Sequence, residues 1–221
     1  MTTIAIENVT KTLKGHDVVK DASLSFASGH RYGLKGINGS GKTMLMRLMS
    51  GLIQPTAGTI RIDDNILGKD IDFPPSIGIL IENPAFLDYL SAFDNLRFLA
   101  DIQKKVTDKQ IRDCIRLVGL DPDSKKKFGK FSLGMKQRLG IAGAIVEDPD
   151  IVLLDEPTNA LDSSGVELVT AIVADLKARG KLVVLSCHDA DLLRTMSDEI
   201  YFIEDGRIVN RVDVNEQGNL T

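Results

Sequence analysis

The sequence predicts an α/β protein: a mostly parallel sheet covered on both faces and interrupted by a block of helices. Three observations predict it. From Ile151 onward, short continuous apolar runs alternate with helical patterns, as strands buried on both faces require. The first third instead alternates apolar with polar residues, the period of strands. Between about Pro84 and Val146 the period turns helical. A length of 221 residues with 43% apolar and 26% charged residues suits one domain with a sizeable insertion, and excludes disordered and fibrous classes.

The elements follow in order. Ile4, Ile6 and Val9 among polar neighbours mark a first strand, and Val18-Val19 through Phe26 a second. His30 to Leu34 is a third, running into a glycine-rich stretch. Met44, Leu45, Leu48 and Met49 then recur at helical spacing, with Gly51 as the stop. Thr59–Ile62 and Ile77–Ile81 read as strands, parted by Pro74-Pro75. Leu96, Leu99 and Ile102 mark one inserted helix, Ile111, Ile115 and Val118 another, and Leu139 to Ile145 a third. Ile151–Leu154 is a strand, Val166–Leu176 a helix, Leu182–Leu185 a strand and Asp191–Met196 a short helix. Strands around Tyr201–Ile203 and Arg207–Val209 close the fold, and Asn215–Thr221 reads as a loose tail.

The strongest chemical signal is Gly36-Ile37-Asn38-Gly39-Ser40-Gly41-Lys42-Thr43, a complete phosphate-binding loop between a strand and a helix. Its glycines permit a tight turn that aims backbone N–H groups at phosphate oxygens, and the helix adds its N-terminal dipole. Lys42 would reach the β- and γ-phosphates, and the Thr43 hydroxyl would ligate Mg²⁺. The apolar run Ile151–Leu154 ends in Asp155-Glu156. Asp155 would hold Mg²⁺ through water, and Glu156 would orient or deprotonate the attacking water. An acidic pair after a strand is common; together with the phosphate loop it points to nucleotide hydrolysis.

Between these elements lies Phe131-Ser132-Leu133-Gly134-Met135-Lys136-Gln137-Arg138, and after them Pro157-Thr158-Asn159-Ala160-Leu161-Asp162 and a lone His188. That order resembles the ATP-binding-cassette ATPases over essentially the whole chain. The resemblance implies a P-loop core with an N-terminal antiparallel β subdomain and an inserted helical subdomain. The expected division is 1–82 and 147–221 for the nucleotide-binding core and 83–146 for the helical part. It also implies a head-to-tail dimer, homo- or heteromeric, with two ATP molecules at its interface. Ser132 and Gly134 would meet the γ-phosphate bound to the partner, residues 159–162 would link the two sites, and His188 would touch the γ-phosphate.

Several positions depart from the family pattern. Phe131, Leu133 and Met135 alter the signature segment, and Met44 replaces a hydroxyl residue of the phosphate loop. Glu82 stands where the family has glutamine; a carboxylate there would sense or ligate Mg²⁺ but adds negative charge near a triphosphate. Leu13 takes the place of the aromatic that stacks on adenine. Residues 132–142, together with 81–84 and 86–96, look like the branch serving bacitracin resistance and lantibiotic self-protection, and the related antibiotic exporters look similar. In that branch the ATPase is a separate chain bound to polytopic permease subunits. Residues 84–90 are a candidate permease dock, or simply core of the helical insertion.

Composition narrows the partners. A net charge of −4 with 5% aromatics and no Trp argues against a nucleic-acid binder. The triplet Lys125-Lys126-Lys127 reads as a solvated loop. Two distant cysteines, Cys114 and Cys187, fit a reducing compartment, and Cys187-His188 offers too few ligands for zinc. The N-terminus lacks a signal-like apolar run, and no stretch approaches the ~18 apolar residues of a membrane span. The expected location is therefore cytoplasmic, peripheral on the inner membrane face through a permease. Two other readings are a soluble cassette ATPase uncoupled from transport and a regulatory nucleotide-binding module without turnover. The single compact cassette speaks against the first, and the intact Asp155-Glu156 pair and His188 against the second.

Overall fold

The computed structural model describes residues 1–214; the expected tail from Asn215 lies outside them. Among the described residues the strands form two sheets. β1 (Thr3–Leu13), β2 (His16–Ala27), β4 (Ala57–Ile62) and β5 (Asn65–Ile66) make an antiparallel sheet in the order β2-β1-β4-β5. The second sheet has the order β10-β9-β3-β8-β7-β6, from β3 (Arg31–Lys35), β6 (Ile77–Leu80), β7 (Ile151–Leu154), β8 (Leu182–Ser186), β9 (Glu199–Glu204) and β10 (Arg207–Asp213). Its neighbours β9-β3-β8-β7-β6 run parallel, and only the β9–β10 hairpin is antiparallel. The two-residue β5 carries too little pattern to be expected from sequence.

The unbroken apolar runs of β7 and β8 have a physical reason. Successive side chains point to opposite faces, and both faces are buried. Ile151 and Leu153 with Leu182 and Val184 join a core between the two sheets, where Phe26, Ile4 and Ile60 meet Leu45 and Met49. Val152 and Leu154 with Val183 and Leu185 join a second core under the helices. Each such side chain contributes about 1.5–3 kcal/mol by leaving water.

Helix α1 (Lys42–Met49) sits in the first core, so Met44 packs there as a partly buried residue. The inserted helices are α2 (Ala92–Gln103), α3 (Asp108–Leu117) and α4 (Leu133–Ile145). Capping boxes start two of them, Ser91 with Asp94 and Thr107 with Gln110. Helix α4 lies so close to β6 that a Cβ on Gly78 would stand 1.7 Å from the Ala144 carbonyl oxygen. Helices α5 (Ser163–Ala178) and α6 (Ala190–Met196) complete the second layer. Among the described residues no helix is long and apolar enough to cross a membrane.

Candidate functional site

The parallel strands deliver their carboxyl ends to one place, where ligands bind in open α/β sheets. The loop after β3, Glu82 beyond β6, Asp155-Glu156 after β7 and His188 beyond β8 surround a cavity of about 310 Å³. Its wall also includes Asn38, Gly39, Gly41, Lys42, Thr43 and Met44.

The loop is held by conformations that favour glycine. Gly41 has φ 113° and Gly39 φ 80°, and a Cβ on Gly41 would meet the Val18 carbonyl oxygen at 2.7 Å. Gly36 leaves room for Ser40, whose Oγ would stand 2.4 Å from a Cβ there. Among the described residues no side chain caps the N-terminus of α1. The Lys42 ammonium donates to the loop's own Gly36 and Ile37 carbonyls at 2.6 and 3.1 Å. Ser40 Oγ is buried without a hydrogen-bond partner among the described residues. An open helix terminus, an unused hydroxyl and an ammonium resting on weak neutral acceptors suit a polyphosphate.

Asp155 is buried and accepts two hydroxyl hydrogen bonds, Thr43 Oγ1 to Oδ2 and Ser186 Oγ to Oδ1, both at 2.6 Å. Its own N–H donates to the Leu80 carbonyl at 2.7 Å, so β6 sets its height. Thr43 Oγ1 and the Asp155 carboxylate are hard oxygen donors of the kind Mg²⁺ prefers. Among the described residues no group of three or more His, Cys, Asp or Glu side chains could hold a metal. A cation here therefore needs phosphate oxygens and water to complete its shell.

Glu156 is held at φ 50°. Its N–H donates to Ser186 Oγ at 2.9 Å, and its carbonyl accepts from Gln137 Nε2 at 3.0 Å. Its Oε2 accepts the His188 N–H at 3.2 Å, while His188 Nε2 lies 3.2 Å from Oε1. Burial lifts the Glu156 carboxyl above the usual carboxylate range, against the pull of His188 and Lys42. A carboxyl raised this way is a better proton acceptor once ionised. Glu82, at φ 60°, directs Oε1 to Arg47 Nη2 at 2.7 Å.

The fold thus brings together Asn38, Gly39, Gly41, Lys42, Thr43, Glu82, Asp155, Glu156 and His188, with Gly36 and Ser40 in the same loop. It does not bring in Ser132 and Gly134. These line a separate cavity of about 480 Å³ with Leu133, Met135, Ala160, Leu161 and Asp162. Ser132 caps α4 by accepting the Met135 N–H at 3.2 Å. Leu13, exposed at the end of β1, is not among the residues lining the first cavity; Val18 of β2 is. Tyr32 is buried with its hydroxyl on the Ala27 N–H, so it cannot replace an adenine-stacking ring. Ser186 and Gln137 were missed as site residues. A small hydroxyl closing an apolar strand, directly before Cys187-His188, was the available signal for Ser186.

Comparison with known proteins agrees with this geometry. The family described as "ABC transporter" matches residues 19–159. An uncharacterized ABC transporter ATP-binding protein of Bacillus subtilis, YybJ, is 47% identical over 93% of this chain and 94% of its own. The bacitracin transport ATP-binding protein BcrA of Enterococcus faecalis is 35% identical over 96% of this chain and 70% of its own. Among solved structures, the dimeric post-hydrolysis state of the ATP-binding cassette MJ0796 with ADP and Pi superimposes with a TM-score of 0.86. It is 26% identical and covers 95% of this chain and 98% of that one. With this sheet, this phosphate loop and these relatives, the chain belongs to the ABC transporter family as an ATP-binding, ATP-hydrolysing subunit that powers transport.

Proposed function

We propose that this ATPase works with Mg²⁺ on the cytoplasmic face of the cell membrane, driving export of a peptide antibiotic, drug or lipid-like compound through separate polytopic permease subunits. The observation that carries the reading is the gathering of Lys42, Thr43, Asp155, Glu156 and His188 around one cavity. The bacitracin-transport relative supports the cargo class.

In this reading the turn from Gly36 to Gly41, with Asn38, Gly39 and Ser40, presents N–H groups to the phosphates. Lys42 exchanges its loop carbonyls for phosphate oxygens, a stronger, charge-assisted partnership. Thr43 and Asp155 hold Mg²⁺, with Glu82 facing the same space; the ion supplies charge neutralisation to the phosphates. Glu156 takes the proton of the attacking water, and His188 fixes that carboxylate while facing the γ-phosphate. Ser132 and Gly134 serve the site of a second, head-to-tail subunit, which accounts for their separate cavity. The parts 1–82 and 147–221 form the catalytic core, and 83–146 carries the signature.

A groove of about 690 Å³, bounded by Leu52, Ile79, Ile81, Pro84 and Phe86, supports permease docking near the 84–90 segment. Phe86 itself packs edge-on against Phe128 at 5.4 Å, so its ring is partly core, while Tyr89 is exposed. The test is gentle purification of the tagged chain from its native membranes with mass spectrometry. A stoichiometric polytopic partner is expected. The chain alone at every nucleotide state would instead favour a cassette ATPase uncoupled from transport.

A further inference from the structure

Three carboxylates, Glu82, Asp155 and Glu156, line the cavity read above as the nucleotide site. Two have a partner among the lining residues: Asp155 the Thr43 hydroxyl, Glu156 the imidazole of His188. The third is answered from outside. Arg47 projects from α1 one helical turn beyond Thr43, and its Nη2 donates to Glu82 Oε1 at 2.7 Å. Arg47 is not among the residues lining that cavity; it lines the neighbouring groove instead.

The pair is a poor candidate for a stabilising contact. The side chains are 31% and 58% exposed, and ion pairs so open to water contribute little to folding. Its consequence lies in where charge sits. A carboxylate on the cavity wall repels an anionic nucleotide, and a guanidinium on that carboxylate cancels the repulsion. The same bond fixes the side chain of a residue whose backbone already holds a left-handed φ of 60°.

We propose that Arg47 is a positioning residue that neutralises Glu82 and pins its carboxylate to the cavity wall, so that the site admits ATP despite an acid at that position. The inference rests on the nucleotide reading of the cavity. It makes Arg47 necessary only while Glu82 is acidic, and that dependence is testable.

The experiment is calorimetric titration of ATP, without Mg²⁺ and at low salt, into the parent, Arg47→Met, Arg47→Gln, Glu82→Gln and the double variant Arg47→Met/Glu82→Gln. Melting temperatures without nucleotide check that each is folded. Arg47→Met should weaken binding about three- to tenfold, and added salt should shrink that loss. Arg47→Gln, with its polar tip retained, carries the same expectation if the methionine variant folds badly. Glu82→Gln should bind at least as tightly as the parent, and the double variant should match it within about twofold. Arg47 variants as tight as the parent would overturn the inference, as would a double variant as weak as Arg47→Met alone. A parent that fails to bind ATP would overturn the nucleotide reading itself, whereas a binding parent with indifferent Arg47 variants would sink only this proposal.

Discussion

The two ends of the six-stranded sheet solve opposite problems. At the amino ends charges are paired with charges. Asp198 accepts from Arg31 N and Nη2 at 2.9 and 2.7 Å and from Lys177 Nζ at 2.9 Å, tying β3, α5 and the approach to β9. Beside it, Lys181 lies 3.3 Å from both Asp148 and Asp150, just before β7 and β8 begin. At the carboxyl ends the groups are held but not spent. Lys42 rests on neutral carbonyls, Ser40 Oγ lacks a partner among the described residues, and Glu156 is kept at left-handed φ. The first arrangement fastens the sheet, and the second holds groups in reserve for a ligand. The difference teaches that the same strands contribute stability at one end and chemistry at the other.

The comparison can be broken most severely at Glu156. Glu156→Gln keeps the shape and the N–H contacts but removes the proton acceptor, so steady-state ATP hydrolysis should fall about 100-fold or more, with ATP binding intact by equilibrium titration. Lys42→Ala comes next. Losing a charge-assisted contact to phosphate should cost about 1.5–3 kcal/mol, about ten- to hundredfold in Kd, read by the same titration.

The amino end should respond to pH instead. Burial pushes the Asp198 carboxyl up, but hydrogen bonds from Arg31 and Lys177 outweigh it and hold the group at about 2, below the ordinary 3.8. A depressed carboxylate contributes stability that is present above its unfolded value and lost as pH falls through the folded one. That share, about 2 kcal/mol, should disappear between roughly pH 5 and pH 2. Urea titrations across that range should show a smaller loss in Asp198→Asn than in the parent.

How much of this was legible in the sequence depended on range. The run from Gly36 to Thr43 carries its geometry in eight consecutive residues, so loop, helix start and ligand class were readable together. The buried strands were readable because Ile151–Leu154 and Leu182–Leu185 have no polar break. Glu82 was visible as an acid near phosphates, yet its partner Arg47 lies on another element, and no local pattern joins them. Ser186 was hidden for a different reason: one hydroxyl after an apolar strand is ordinary, and only the fold sets it between Asp155 and Glu156. The resting contacts of Lys42 were also illegible, since a motif states what the side chain reaches in a complex and not where it waits.

The most direct test of the division between the two ends is to measure turnover and melting temperature side by side for Glu156→Gln and Asp198→Asn. Glu156→Gln should lose hydrolysis while melting at or above the parent, because it removes a buried carboxylate whose ionisation burial opposes. Asp198→Asn should melt about 4–8 °C lower while hydrolysing ATP at the parent rate below its transition. Parent-like turnover in Glu156→Gln, or lost turnover in folded Asp198→Asn, would contradict the account.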